Sequence, residues 1–248
     1  MHDKKPADLL HSISQVPTKC PLNTQRVVRA FTAGFLCHYL LDRAAHPFVY
    51  SQQFALCNAE IEGLTAKDGH EVHAVIESEL DEYILYSHTG LTIASYKLPR
   101  NIKSKRTESC CAFSCDLLYS LGHLRTSISC KSVFRERPQL PSNTVCDLFP
   151  RGVKRRLYGA VERRFRNHSF AQAFCHRPLK LTESAFDNRE HRVWVNPFTG
   201  EHNTSSFDDI FENTLAEANA LIPSFIEGLN FEDACEMTKH LNFSGKID

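Results

Sequence analysis

Two short stretches carry the residue types that could do chemistry. The first, GFLCHYLLDRAAHP over 34–47, contains His38, Asp42 and His46. The second, HEVHAVIESELD over 70–81, contains His73 and Glu77. Both read as helix, where residues four apart share one face. His38 thus pairs with Asp42, and His73 with Glu77. Each pair joins an imidazole to a carboxylate, the nitrogen and oxygen ligands that zinc accepts. Their neighbours are mostly apolar, which predicts a buried or half-buried face. Polar groups there need a partner, and a shared metal ion would serve. Zinc would lower the pKa of a bound water to ~7, and two ions ~3.5–4 Å apart could clamp a phosphodiester. The ligating forms are neutral His and ionised Asp or Glu, so binding should weaken as pH falls through the histidine range. Outer groups should orient the imidazoles, and Glu79, Asp81 and His70 are the candidates.

The elements that must position these residues are helical. Pro6, Leu9, Leu10 and Ile13 predict a first helix over 6–16. A second is expected from Asn23 or Thr24 as cap to about Ala45, ended by Pro47, with apolar residues around most of its cylinder. A third is expected after an Asp68 cap, running to about Ser87 with Gly90 beyond it. Residues 89–107 read as connection, 109–124 and 144–166 as fourth and fifth helices. A sixth begins after Ser205 or Ser206 with Phe207, Ile210, Phe211 and Leu215 at helical spacing. Val193 to Glu201 is too rich in Pro, Gly and Asn for helix and reads as an ordered loop. Residues 231–248 read as a helix and short tail. With no repeat and no convincing linker, the reading is one all-α domain over 1–248.

Composition narrows the function. A hydrophobic share of 42% suffices for a packed core, and a formal charge of zero provides no field toward nucleic acid or anionic lipid. No apolar run approaches the ~20 residues of a membrane-spanning helix. The ten cysteines do not resemble a secreted disulfide framework, and the chain opens without an apolar signal segment, so the expected setting is cytoplasmic with reduced thiols. Cys110, Cys111 and Cys115 lack a second pair at zinc-ribbon spacing and read as core packing. No GxSxG, GxxxxGK[ST] or GxGxxG motif occurs. The stretch 151–168 is basic and amphipathic, with Arg155, Arg156, Arg163 and Arg166 on its polar side. It reads as a solvated face, with phosphate contact the sharper alternative.

The order HxxxD, a nearby His, then HxxxE on the next helix resembles the zinc-dependent phospholipase C family, which is all-helical and related to the P1/S1 nucleases. The closest likeness is to a bacterial cytoplasmic branch with a GFxCHYxLDxxxHP helix. Trp194-Val-Asn-Pro-Phe and Ser206-Phe-Asp-Asp-Ile-Phe resemble a late block of that branch. The resemblance spans roughly 1–90 and 190–225. It implies a phospholipase C-like phosphodiesterase using one to three zinc ions in a cleft between helices, with a phosphodiester or phospholipid as substrate; a nuclease-like substrate stays open, though the zero formal charge disfavours nucleic acid as a partner. By motif match His38 and Asp42 would be ligands, Asp42 bridging two ions, and His73 and Glu77 would be the second pair. His46 stands near the place of the family's intervening His. In secreted members the spacing before that His is longer and the Pro precedes it. His2 would match a further ligand. Secreted members also use an Asp and N-terminal groups before that point, so the expectation is either a longer chain or a reduced site. Catalytic residues beyond the ligands stay unassigned.

The plainer readings are a hydrogen-bonded His38–Asp42 pair, His46 at a helix end facing the negative dipole, and His70 as a first-turn surface residue. The functional alternative is a non-catalytic or degenerate protein whose helices a metal holds together. A carboxylate-bridged di-iron bundle ranks below, since its Glu-x-x-His pairs are absent.

Overall fold

The computed structural model describes residues 6–61, 64–96 and 179–247. They are mostly helical, with one two-stranded sheet. In chain order the elements are α1 (Pro6–Ser14), α2 (Val16–Lys19), α3 (Leu22–Cys57), α4 (Gly69–Thr89), β1 (Trp194–Val195), β2 (His202–Asn203), α5 (Phe207–Glu227) and α6 (Phe231–Thr238). No helix among the described residues is long and apolar enough to cross a membrane. The helices expected over 109–124 and 144–166, Cys110, Cys111 and Cys115, and the basic stretch 151–168 lie outside the described residues.

The chain divides into two compact units, whose described parts are 6–46 with 209–247, and 47–61 with 64–96 and 179–208. In the first, Leu10, Leu36, Tyr39, Leu40 and Phe225 are fully buried in one apolar cluster. The single helix expected over 6–16 is split at Gln15. Pro17 explains the break. It has no N–H to continue α1 but is well suited to the first turn of a new helix. The Gln15 amide donates to Leu229 O at 2.7 Å, while the Ser14 hydroxyl accepts from Leu229 N at 3.0 Å. Tyr39 donates its hydroxyl to Leu241 O at 2.7 Å. Arg43 is 6% exposed, and its guanidinium donates to Met237 O and Glu217 Oε1, both at 2.6 Å. A buried guanidinium needs such a partner set, because its desolvation is costly otherwise.

In the second unit α3 continues through Pro47 to Cys57, whereas the sequence predicts its end at Pro47. An interior proline costs a helix about 3 kcal/mol. Here Pro47 is flanked by buried Ala45, Phe48 and Val49, and burying two large apolar side chains recovers an energy of that order. The expected Asn23 or Thr24 cap is also displaced: α3 begins at Leu22, and the Thr24 hydroxyl donates to Pro21 O. Asp68 stands at the start of α4 as expected, but its carboxylate turns back to accept from Thr65 N at 2.9 Å and Thr65 Oγ1 at 2.8 Å. At the other end Gly90 closes α4 with φ of +66°, a left-handed conformation that glycine adopts without strain.

The stretch expected to be a loop contains an antiparallel hairpin, with Trp194 opposite Asn203 and Val195 opposite His202. The residues that argued against regular structure form its turn. Asn196 Oδ1 accepts from Phe198 N, and Gly200, at φ of +76°, donates its N–H to Asn196 O. The segment leading to α5 is tied down at several points. Ser184 Oγ and Ala185 N donate to Glu79 Oε1 at 2.8 and 3.1 Å, and Gln52 Nε2 donates to Phe186 O at 3.0 Å. Tyr83 donates its hydroxyl to Asp208 Oδ2 at 2.6 Å. Burial first, then that bond and the nearby carboxylates, push the Tyr83 hydroxyl up to about 12, so it stays protonated at neutral pH.

Asp187 organises this segment. It is 3% exposed, its carboxylate accepts from the Arg189 guanidinium and from the Ser184 and Arg189 N–H groups, and its carbonyl accepts from Phe207 N. Burial alone would raise its carboxyl. The Arg189 guanidinium and the two backbone donors outweigh burial and hold it below the usual carboxylate range. With a depressed native value, this contribution is complete above the unfolded pKa of ~3.9 and is lost as pH falls through the native value. Asp187→Asn should therefore lower stability by about 2 kcal/mol near neutrality. It should also flatten the acid limb of a plot of urea midpoint against pH; an unchanged limb would refute the assignment.

Candidate metal centre

Helix α3 carries His38, Asp42 and His46, and α4 carries His70, His73, Glu77 and Asp81. His38 Nδ1 lies 3.4 Å from Asp42 Oδ1, with the His38 side chain 52% exposed and Asp42 21%. The imidazole is flanked by the rings of Phe35 and Phe243, at centroid distances of 6.3 and 5.8 Å.

His46 is not at a helix end, because α3 runs on for three more turns; the dipole reading of this residue falls with the predicted terminus. Its Nδ1 is paired with the backbone carbonyl of Phe243. A carbonyl can only accept, so Nδ1 holds the proton and Nε2 becomes the lone-pair nitrogen. His73 faces oxygen on both sides: Nδ1 lies 2.9 Å from Gln53 Oε1, and Nε2 lies 3.1 Å from Glu77 Oε1. Two ligand atoms at tetrahedral zinc distances of 2.0–2.2 Å are roughly 3.4 Å apart, so the His73–Glu77 separation already suits a shared ion.

Each unit thus carries its own candidate donors, His46 in the first and the His73–Glu77 pair in the second. His46 rides on the same unbroken helix as Tyr50 and Gln53, one and two turns upstream of them. The donors on α3 and α4 are imidazoles and carboxylates, a set that suits zinc. Oxygen acceptors on both Nδ1 atoms are the usual way a ligating histidine is oriented. The residues present fit the metal. His73 is 16% exposed at its side chain and Glu77 42%, so the pair is shielded at His73 and reaches solvent at Glu77.

The other expected site residues are placed differently. His38 and Asp42 form their own pair on α3. His70 is exposed at the start of α4. Asp81 is also exposed and borders an apolar cleft with Ile84, Leu85, Ile93 and Tyr96. Glu79 is engaged by Ser184 and Ala185. His2 lies outside the described residues. Sequence reasoning missed Gln53 and the Phe243 carbonyl as orienting groups. Gln53 had a faint mark, a polar residue two helical turns after His46, whereas a backbone carbonyl has none. It also missed Tyr50, whose ring centroid lies 4.7 Å from that of His73.

Compared with protein-family models, curated proteins and solved structures, the chain matches none.

Proposed function

We propose that the chain is a zinc-dependent hydrolase of phosphodiesters, phospholipase C-like in fold and chemistry. The observation that carries this reading is the His73–Glu77 pair, with Nε2 3.1 Å from the carboxylate and Nδ1 held by Gln53. Helices α3 and α4 carry, in chain order, the two stretches on which the sequence resemblance rests. A cytoplasmic setting belongs to the same reading.

His73 would donate through Nε2 and Glu77 through its carboxylate. Gln53 holds the ring so that little reorientation is needed on binding. When bound, zinc supplies a Lewis acid and a water that ionises near ~7. Glu77 stands on the solvent side of the pair, where a phosphodiester would approach. His38 and Asp42 would hold any second ion, one turn apart on α3.

The test is hydrolysis of a chromogenic phosphodiester by the full chain. Activity should vanish in chelator and return with zinc. Bound zinc without hydrolysis would instead assign the metal a bracing role for the helices. Absence of both would remove the proposal.

A further inference from the structure

The hairpin that replaces the expected loop reaches the candidate metal centre through two aromatic rings. Phe198 meets the Tyr50 ring edge-on at 5.3 Å between centroids, and Tyr50 in turn lies 4.7 Å from the His73 imidazole. Phe198 is not on a loose loop. Its N–H donates to Asn196 Oδ1 at 2.9 Å, in the turn that Gly200 closes onto Asn196. The hairpin is anchored by Trp194, whose ring stands edge-on to buried Phe48 at 5.3 Å and whose Nε1 donates to Ser205 O. The approach to this segment is held on α4 by Glu79, two residues beyond Glu77. The aromatic pair lies on the His73 side, the less exposed side of the His73–Glu77 pair.

Resting on the zinc reading above, we infer that Phe198 is a positioning residue of the metal centre: it seats Tyr50 over His73 and closes that side of the site to water. An apolar shell of this kind controls solvent access to a metal and the local dielectric. The hairpin thereby couples a segment over a hundred residues away in sequence to the ligand on α4. It also gives the Trp-Val-Asn-Pro-Phe block a role beyond packing.

The test measures zinc affinity of the full chain by competition with a chromophoric chelator, alongside the visible spectrum of the cobalt-loaded protein. Phe198→Ala should weaken zinc about 10-fold and shift the cobalt ligand-field bands. Phe198→Leu should recover most of both. Val193→Ala, at a 65% exposed position in the same segment, should change neither. Phe198→Ala with wild-type affinity and spectrum would overturn the inference while leaving the zinc reading intact. A wild-type chain that binds neither zinc nor cobalt would overturn the zinc reading and this inference with it. If Phe198→Ala fails to fold, 4-fluorophenylalanine placed at 198 reads the same coupling in an otherwise intact chain. A fluorine resonance that shifts and saturates with zinc supports the inference, and one indifferent to zinc overturns it.

Discussion

Replacing His73 with alanine should reduce zinc affinity by at least about 100-fold, more than removal of an orienting group costs. The reason is local. His73 is the point where the pair is held: Nε2 stands beside Glu77, Nδ1 is pinned by Gln53, and Tyr50 covers the ring. Its loss leaves only the carboxylate of the pair, too little to hold zinc in competition with water and buffer. Elemental mass spectrometry of protein purified without added metal or chelator gives the readout. His70→Ala, at an exposed position one turn away, serves as the matched control and should keep full zinc content. His38→Ala adds a second answer: a partial loss of zinc would mean that His38 and Asp42 hold an ion of their own. Full zinc in His73→Ala would eliminate the proposed centre.

Phe48→Ala should destabilise the protein by about 3–5 kcal/mol, the cost of emptying a buried aromatic site. Phe48 is 1% exposed and lies against Trp194 edge-on and against Phe207 in a stacked arrangement at 6.2 Å. It is the side chain by which α3, just past Pro47, carries both the hairpin and the first residue of α5. Trp194 is the only tryptophan in the sequence, so its fluorescence reports this contact directly. The variant should show a lower urea midpoint and a red-shifted native emission. A loss under about 1 kcal/mol would mean that the cluster is poorly packed. Since domains are stable by only ~5–15 kcal/mol, the expected cost is a large share of the total.

The helical character and the residues of the candidate centre were legible in the sequence because both depend on short-range spacing. His38 with Asp42, and His73 with Glu77, are paired by the pitch of a helix alone, and both pairs form. Gly90 beyond α4 and Phe207 opening α5 follow from local rules of the same kind. The misjudged features were those where tertiary packing competes with a local preference. Pro47 ends a helix by local energetics, but the burial of Phe48 and Val49 carries α3 past it. Pro, Gly and Asn between Val193 and Glu201 read as loop, yet they form the turn that lets Trp194 and Val195 pair with Asn203 and His202.

The sequence by itself determined the ligand chemistry: which imidazoles and carboxylates exist, and which two share a helix face. That follows from covalent order and the 3.6-residue repeat. Only the tertiary structure decided how each is held, placing His73 against Gln53 as well as Glu77 and His38 between the rings of Phe35 and Phe243. It also oriented His46, through the backbone carbonyl of Phe243, 197 positions away. Such a partner is a distant backbone group and leaves no periodic trace. The aromatic cover over His73 has the same origin, since Phe198 lies 125 positions from its imidazole and reaches it only through the folded hairpin.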